Sequence, residues 1–164
     1  KVFRRSNLLT LIDALDPAIL NSRMDVKVQQ EFIPTVNQSL NYTINYPMQI
    51  ATPDDVNVIV RSTKFTFNGQ SCFITNLLKS NVLQIISVDG TVEVDNIGDY
   101  QSSIGKITLN GFKPSSFEGS AIQVAVTPAN QSTIRPLRNF VIDIDTQASS
   151  SNALLDFQNT AVTL

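Results

Sequence analysis

The spacing of apolar residues changes once along this chain, and that change constrains the fold more than any single motif. Leu8, Leu11, Ile12, Leu15 and Ile19 recur at three- and four-residue intervals, which lays them on one face of a helix. From Asp25 onward Val26, Val28 and Phe32 alternate with Lys27, Gln29 and Glu31, the period of a half-buried strand. A helix is therefore expected over about residues 5–23, capped by Ser6 or Asn7. It should end or restart near Pro17, because proline disfavours helical geometry in the residue before it, here Asp16.

Strands are expected at Leu40 to Tyr46, Val56 to Phe67, Ser71 to Asn76, Val82 to Val88, Thr91 to Asp95, Lys106 to Asn110, Ala121 to Thr127 and Asn139 to Asp145. Asn68-Gly69 lies between Phe65 and Phe67 on one side and Phe73 on the other. Both turn residues accept positive φ, which makes this the strongest hairpin signal. Asp89-Gly90 between two β-branched runs predicts a second tight hairpin. The stretch from Asn110-Gly111 to Gly119 holds Pro114 and several serines and reads as a loop, anchored by Phe112 and Phe117. A helix followed by short hairpin-linked strands defines an α+β, mainly β class: an N-terminal helix and a mostly antiparallel β-rich domain. Residues 1–145 form the expected single domain. Residues 146–164 open on Ser149, Ser150, Ser151 and Asn152 and read as an extension or arm.

Composition narrows the function. The 164 residues include no histidine, no tryptophan and one cysteine, Cys72. Without an imidazole the commonest neutral general base is missing, and a Ser-His-Asp or Cys-His arrangement has no members. One sulfur supplies neither a structural zinc site nor an internal disulfide. With 42% apolar residues and this length, a packed core suffices for stability. Charged residues make up only 16% and the net charge is -2, which argues against nucleic acid as a partner, since phosphate binding needs clustered Lys and Arg. No stretch approaches the roughly 20 apolar residues of a membrane span. The chain starts at Lys1 and enters an apolar pattern at once, as expected of a fragment of a longer polypeptide.

Isolated chemical signals yield to simpler readings. Asp89-Gly90-Thr91 has the residue types of an aspartic-protease signature in the wrong order, and the hairpin explains them. Gly98 and Gly105-Lys106 have the wrong spacing for a phosphate loop, and Ile107 stands where Ser or Thr is required. The carboxylate pairs Asp54-Asp55, Asp95 with Asp99 and Asp143 with Asp145 do not follow calcium-loop spacing and read as solvated acids. Asn37, Asn41 and Asn130 begin sequons, as chance allows in so Asn- and Ser/Thr-rich a chain. Cys72 beside Phe73 reads as a buried structural thiol. No catalytic residue, cofactor, metal or small-molecule substrate is expected. The candidate interface is the apolar helix face, Leu8, Leu11, Ile12 and Leu15, together with Arg135 and Arg138 near Pro136, which are placed to form ion pairs across a contact.

Three ordered pieces carry a resemblance. They are the helix with Asp16-Pro17-Ala18-Ile19, Arg23 and Asp25-Val26-Lys27; then Ile97-Gly98-Asp99-Tyr100 before Gly105-Lys106-Ile107; and Ile134-Arg135-Pro136-Leu137-Arg138-Asn139. Over roughly Arg4 to Asp145 the chain resembles the C-terminal region of the baseplate wedge proteins of T4-like contractile-tailed phages, of the baseplate J-like family. The resemblance implies a structural role in the virion tail baseplate, assembled in the host cytoplasm, with a homodimeric self-contact and contacts to other wedge proteins. It brings no catalytic residue with it. The rival expectation is a β-rich receptor- or glycan-binding module of a virion or adhesin. Such sites present exposed aromatic rings, whereas most of the nine Phe here alternate within expected strands.

Overall fold

Alternation of buried and exposed residues runs through the strands of the computed structural model, which describes residues 3–15, 25–131 and 133–134. In chain order the elements are β1 Phe3–Arg4, α1 Arg5–Asp13, β2 Val28–Phe32, β3 Leu40–Asn45, β4 Val60–Ser62, β5 Phe65–Phe67 and β6 Gln70–Asn76. They continue as β7 Val82–Ser87, β8 Val92–Gln101, β9 Lys106–Phe112, β10 Ser116–Phe117, β11 Ile122–Val126 and β12 Thr133–Ile134. The α+β, mainly β class expected from the sequence is the observed one.

The main sheet runs β2-β11-β4-β6-β7-β8-β9-β3, with β5 joined to β6 and β10 to β5. Every ladder is antiparallel. Side chains from one face of each strand meet inside: Val60, Cys72, Ile74, Leu83, Ile85, Tyr100, Ile107, Leu109, Phe112, Ile122, Val124 and Val126 are all fully buried. The sheet curls until its two end strands face each other, and side chains close the seam where no ladder does. At one end of the seam the rings of Phe32 on β2 and Tyr42 on β3 lie 5.2 Å apart, and both pack on Phe112. At the other end residues 46–51 cross the barrel mouth. The Tyr46 hydroxyl donates to the Val124 carbonyl at 2.7 Å, Ile50 bridges to Pro128, and the Ala51 N–H donates to Thr127.

Both expected hairpins form, by different turns. Asn68 and Gly69 both adopt positive φ, 49° and 80°, as a two-residue turn of the mirror-image type requires. In the second hairpin Ser87 N–H reaches the Thr91 carbonyl, and of the turn residues only Gly90 has positive φ, at 95°. This is a three-residue loop ending in a left-handed glycine rather than a two-residue turn.

Four expectations are corrected. The helix ends earlier than the break expected near Pro17: α1 stops at Asp13, and Ala14 and Leu15 close it with bonds to the Thr10 and Ile12 carbonyls. A carboxylate in the last turn, with no basic residue there, opposes the helix dipole at that end. Ser6 and Asn7 are not caps, because the chain enters the helix straight from β1; the Ser6 carbonyl instead accepts from the Thr10 hydroxyl at 2.9 Å. The expected strand from Val56 to Phe67 is broken. Asp54 accepts from the Val56 N–H and from the Asn57 side chain, both at 2.9 Å, and so folds residues 54–57 into a turn. The loop expected over residues 110–119 gives way to the end of β9 and to β10, which pairs with β5 through Ser116 and Phe117. The end or restart of the helix expected near Pro17, with the rest of its expected span to residue 23, the strand from Asn139 to Asp145 and the extension over 146–164 lie outside the described residues.

Candidate functional site

Nine residues are too few for a helix to persist alone in water, so α1 depends on packing. Leu8 and Ile12 of the expected apolar face are half-buried, as is Leu9. Leu11 and Leu15, one turn apart, are 66% and 79% exposed. The structure thus divides the four-residue stripe: one pair is used within the chain and the other faces solvent. Arg135 and Arg138, the remaining interface candidates, lie outside the described residues.

A second apolar surface was missed at the level of sequence. Val56, Val58, Leu77 and Leu78 are exposed on two loops that lie together at one end of the barrel. The loops are pinned by the Lys79 N–H on the Asp54 carbonyl at 2.8 Å and by the Asn76 side-chain oxygen, which accepts from the Ile59 and Val60 N–H groups at 2.8 and 3.0 Å. Val56 and Val58 looked like strand residues because they alternate. The signal against that was Asp54, a turn former two residues earlier.

A third surface lies on the outside of the barrel wall. Val60 and Ser62 face the core, so Arg61 between them faces out, and its guanidinium carbon sits 4.3 Å from the centre of the Phe73 ring. Arg61, Lys64, Phe73 and Val88 line a depression of about 460 Å³. A smaller one of about 220 Å³ adjoins it through Lys64 and is lined also by Thr66, Ser71, Ser116 and Glu118.

The titratable groups settle into structural roles. The Asn57 side chain, followed by the Asn57 and Val56 N–H groups, holds the Asp54 carboxyl below the usual carboxylate range. The Ser87 hydroxyl and the Thr91 N–H do the same for Asp89, which therefore serves its hairpin. Asp55 pairs with Lys79 at 3.6 Å on the surface, a contact worth at most about 1 kcal/mol. Asp95 and Asp99 are exposed along β8. Among the described residues no group of three or more His, Cys, Asp or Glu side chains is arranged to hold a metal ion. Burial pushes the Tyr100 hydroxyl up to about 12, with Asp54 adding to the effect, and also raises Tyr46.

Cys72 is fully buried on the inner face of β6, and burial raises its thiol, with Glu93 and Asp89 adding to the shift. A thiol kept protonated and covered is a poor nucleophile. Cys72 is therefore expected to react with a thiol-specific reagent such as DTNB only after unfolding in urea; rapid stoichiometric reaction of the native protein would place the sulfur at the surface instead.

What fold and surfaces define is a class: an antiparallel β-rich module, closed by side chains, with apolar groups displayed on a helix and at one end of its barrel. Comparisons with protein-family models, with curated proteins and with solved structures find no match. No helix among the described residues is long and apolar enough to cross a membrane.

Proposed function

We propose that this chain is a structural, non-enzymatic domain of a phage tail baseplate wedge that associates with a second copy of itself and with other wedge proteins. Within the baseplate J-like family, the wedge subunit called gene product six is the member whose C-terminal region it resembles. The observation that carries the self-contact is the exposure of Leu11 on α1, a helix too short to persist unsupported, and of Leu15 in the turn that closes it. Burying each leucine in a helix-to-helix contact would gain about 1.5–3 kcal/mol. The absence of histidine and the order of the motifs between Asp16 and Asn139 support the same reading. A glycan-binding role is less well supported, because all the described aromatic side chains are buried or half-buried.

Sedimentation velocity at micromolar concentration tests the proposal. The wild-type chain is expected to associate, and the double variant Leu11→Asp, Leu15→Asp to sediment as a monomer that keeps a folded circular dichroism spectrum, since both positions are exposed within one chain. A wild-type chain that stays monomeric, alone and with the other wedge proteins, would overturn it.

A further inference from the structure

We propose that the depression lined by Arg61, Lys64, Phe73 and Val88 is a docking site for an extended peptide segment of a partner protein, one that offers an acidic side chain beside an apolar one. This surface is separate from α1, so the inference stands or falls independently of the self-contact.

The cationic half is preorganised. Arg61 on β4 lies between Thr75 of β6 and Ala125 of β11, and its guanidinium is held over Phe73 at 4.3 Å. A guanidinium stacked on a ring keeps its in-plane N–H groups free, and two of these match the two oxygens of a carboxylate. Lys64, in the link between β4 and β5, supplies a second cation to the same depression. Neither Arg61 nor Lys64 forms an ion pair with a carboxylate of the described residues. The charge is therefore positioned without being neutralised.

The apolar half adjoins it. Phe73 pairs with Ile86 across β6 and β7, and Ile86 with Val92 across β7 and β8, so the three share the outer face. Phe73 and Ile86 are half-buried, and Val92 and Val88 are exposed. In an extended peptide, side chains two residues apart point the same way about 7 Å apart. Such a segment sets its carboxylate on Arg61 and Lys64 while its next same-side residue covers Phe73 and Val88. A polyanion such as a nucleic acid backbone fits poorly: Glu118 shares the adjoining depression with Lys64, Asp89 follows Val88, and the whole chain carries a net charge of -2.

The test is fluorescence anisotropy with a labelled peptide, Thr-Asp-Thr-Leu-Thr blocked at both ends, which puts its acid and its leucine on one side, and its neutral twin Thr-Asn-Thr-Leu-Thr. The acidic peptide is expected to bind at least about tenfold more tightly than the twin, the scale of one charge-assisted bidentate contact. Arg61→Gln and Lys64→Gln should each erase most of that difference, while Lys113→Gln, an exposed lysine elsewhere, should not. Both variants lie on the surface, and unchanged circular dichroism would confirm that they fold. Equal binding of the two peptides, binding that survives Arg61→Gln, no binding at all, or tighter Arg61-dependent binding of inorganic polyphosphate would each overturn the proposal.

Discussion

Gly98→Val is expected to cost about 3–5 kcal/mol, much of the stability of a domain this size, and to lower the urea midpoint accordingly or prevent folding. Gly98 is paired on both sides, with Leu83 of β7 and with Leu109 of β9. The ladder with β7 shifts register on either side of Ile85, and the Asn96 side chain accepts the Gly98 N–H at 3.0 Å. At φ +152° a Cβ on residue 98 would stand 1.9 Å from the Thr108 carbonyl oxygen and 2.9 Å from its carbon, both backbone atoms of the paired strand. They move only if the β8–β9 ladder opens. Gly69 provides the contrast: its φ is +80°, but a Cβ there meets nothing within 4 Å. Gly69→Val should therefore cost only the strain of a left-handed residue, about 1–2 kcal/mol. Equal losses at the two positions would show that the close approach at Gly98 does not exist.

Phe112→Ala is the second large effect, expected at about 3–5 kcal/mol for an aromatic ring removed from a packed interior. The ring is fully buried and stands nearly perpendicular to Phe65 at 5.1 Å and to Tyr42 at 6.2 Å, with Phe32 at 6.0 Å. Edge-to-face pairs of this kind add about 0.5–1.5 kcal/mol beyond the area they bury. Phe112 holds both sides of a seam that has no ladder, so its loss should be uneven. Amide hydrogen exchange is expected to accelerate more in β2 and β3 than in β6 and β7. Uniform acceleration would mean that the seam is held by something other than this cluster.

The candidate surfaces were legible to different depths. The stripe of Leu8, Leu11, Ile12 and Leu15 follows from helical period alone, but the period does not say which pair the chain keeps for itself. Val56 looked like a strand residue and is 77% exposed, because the Asp54 turn and Asn76, 17 residues beyond Ile59 in sequence, pull the segment out of the sheet. The pairing of β1 with β12 joins Phe3 to Ile134 and was invisible locally, since two-residue strands carry no alternation. Arg61 stacked on Phe73 depends on β4 lying beside β6, a neighbour relation that no spacing within either strand contains.

By itself the sequence determined what depends on a few adjacent residues: a helix near the start followed by strands, the mainly β class, the hairpins at Asn68-Gly69 and Asp89-Gly90, and the burial of Cys72. Positive φ and side-chain alternation are local properties, fixed within a turn or a strand. Only the tertiary structure decided that the sheet curls until Phe32 meets Tyr42, that Gly98 must lack a side chain, and that Leu11, Leu15 and Arg61 face outward. Those outcomes depend on contacts between residues far apart in the chain, whose register and neighbours are set by how the whole core packs rather than by any one segment.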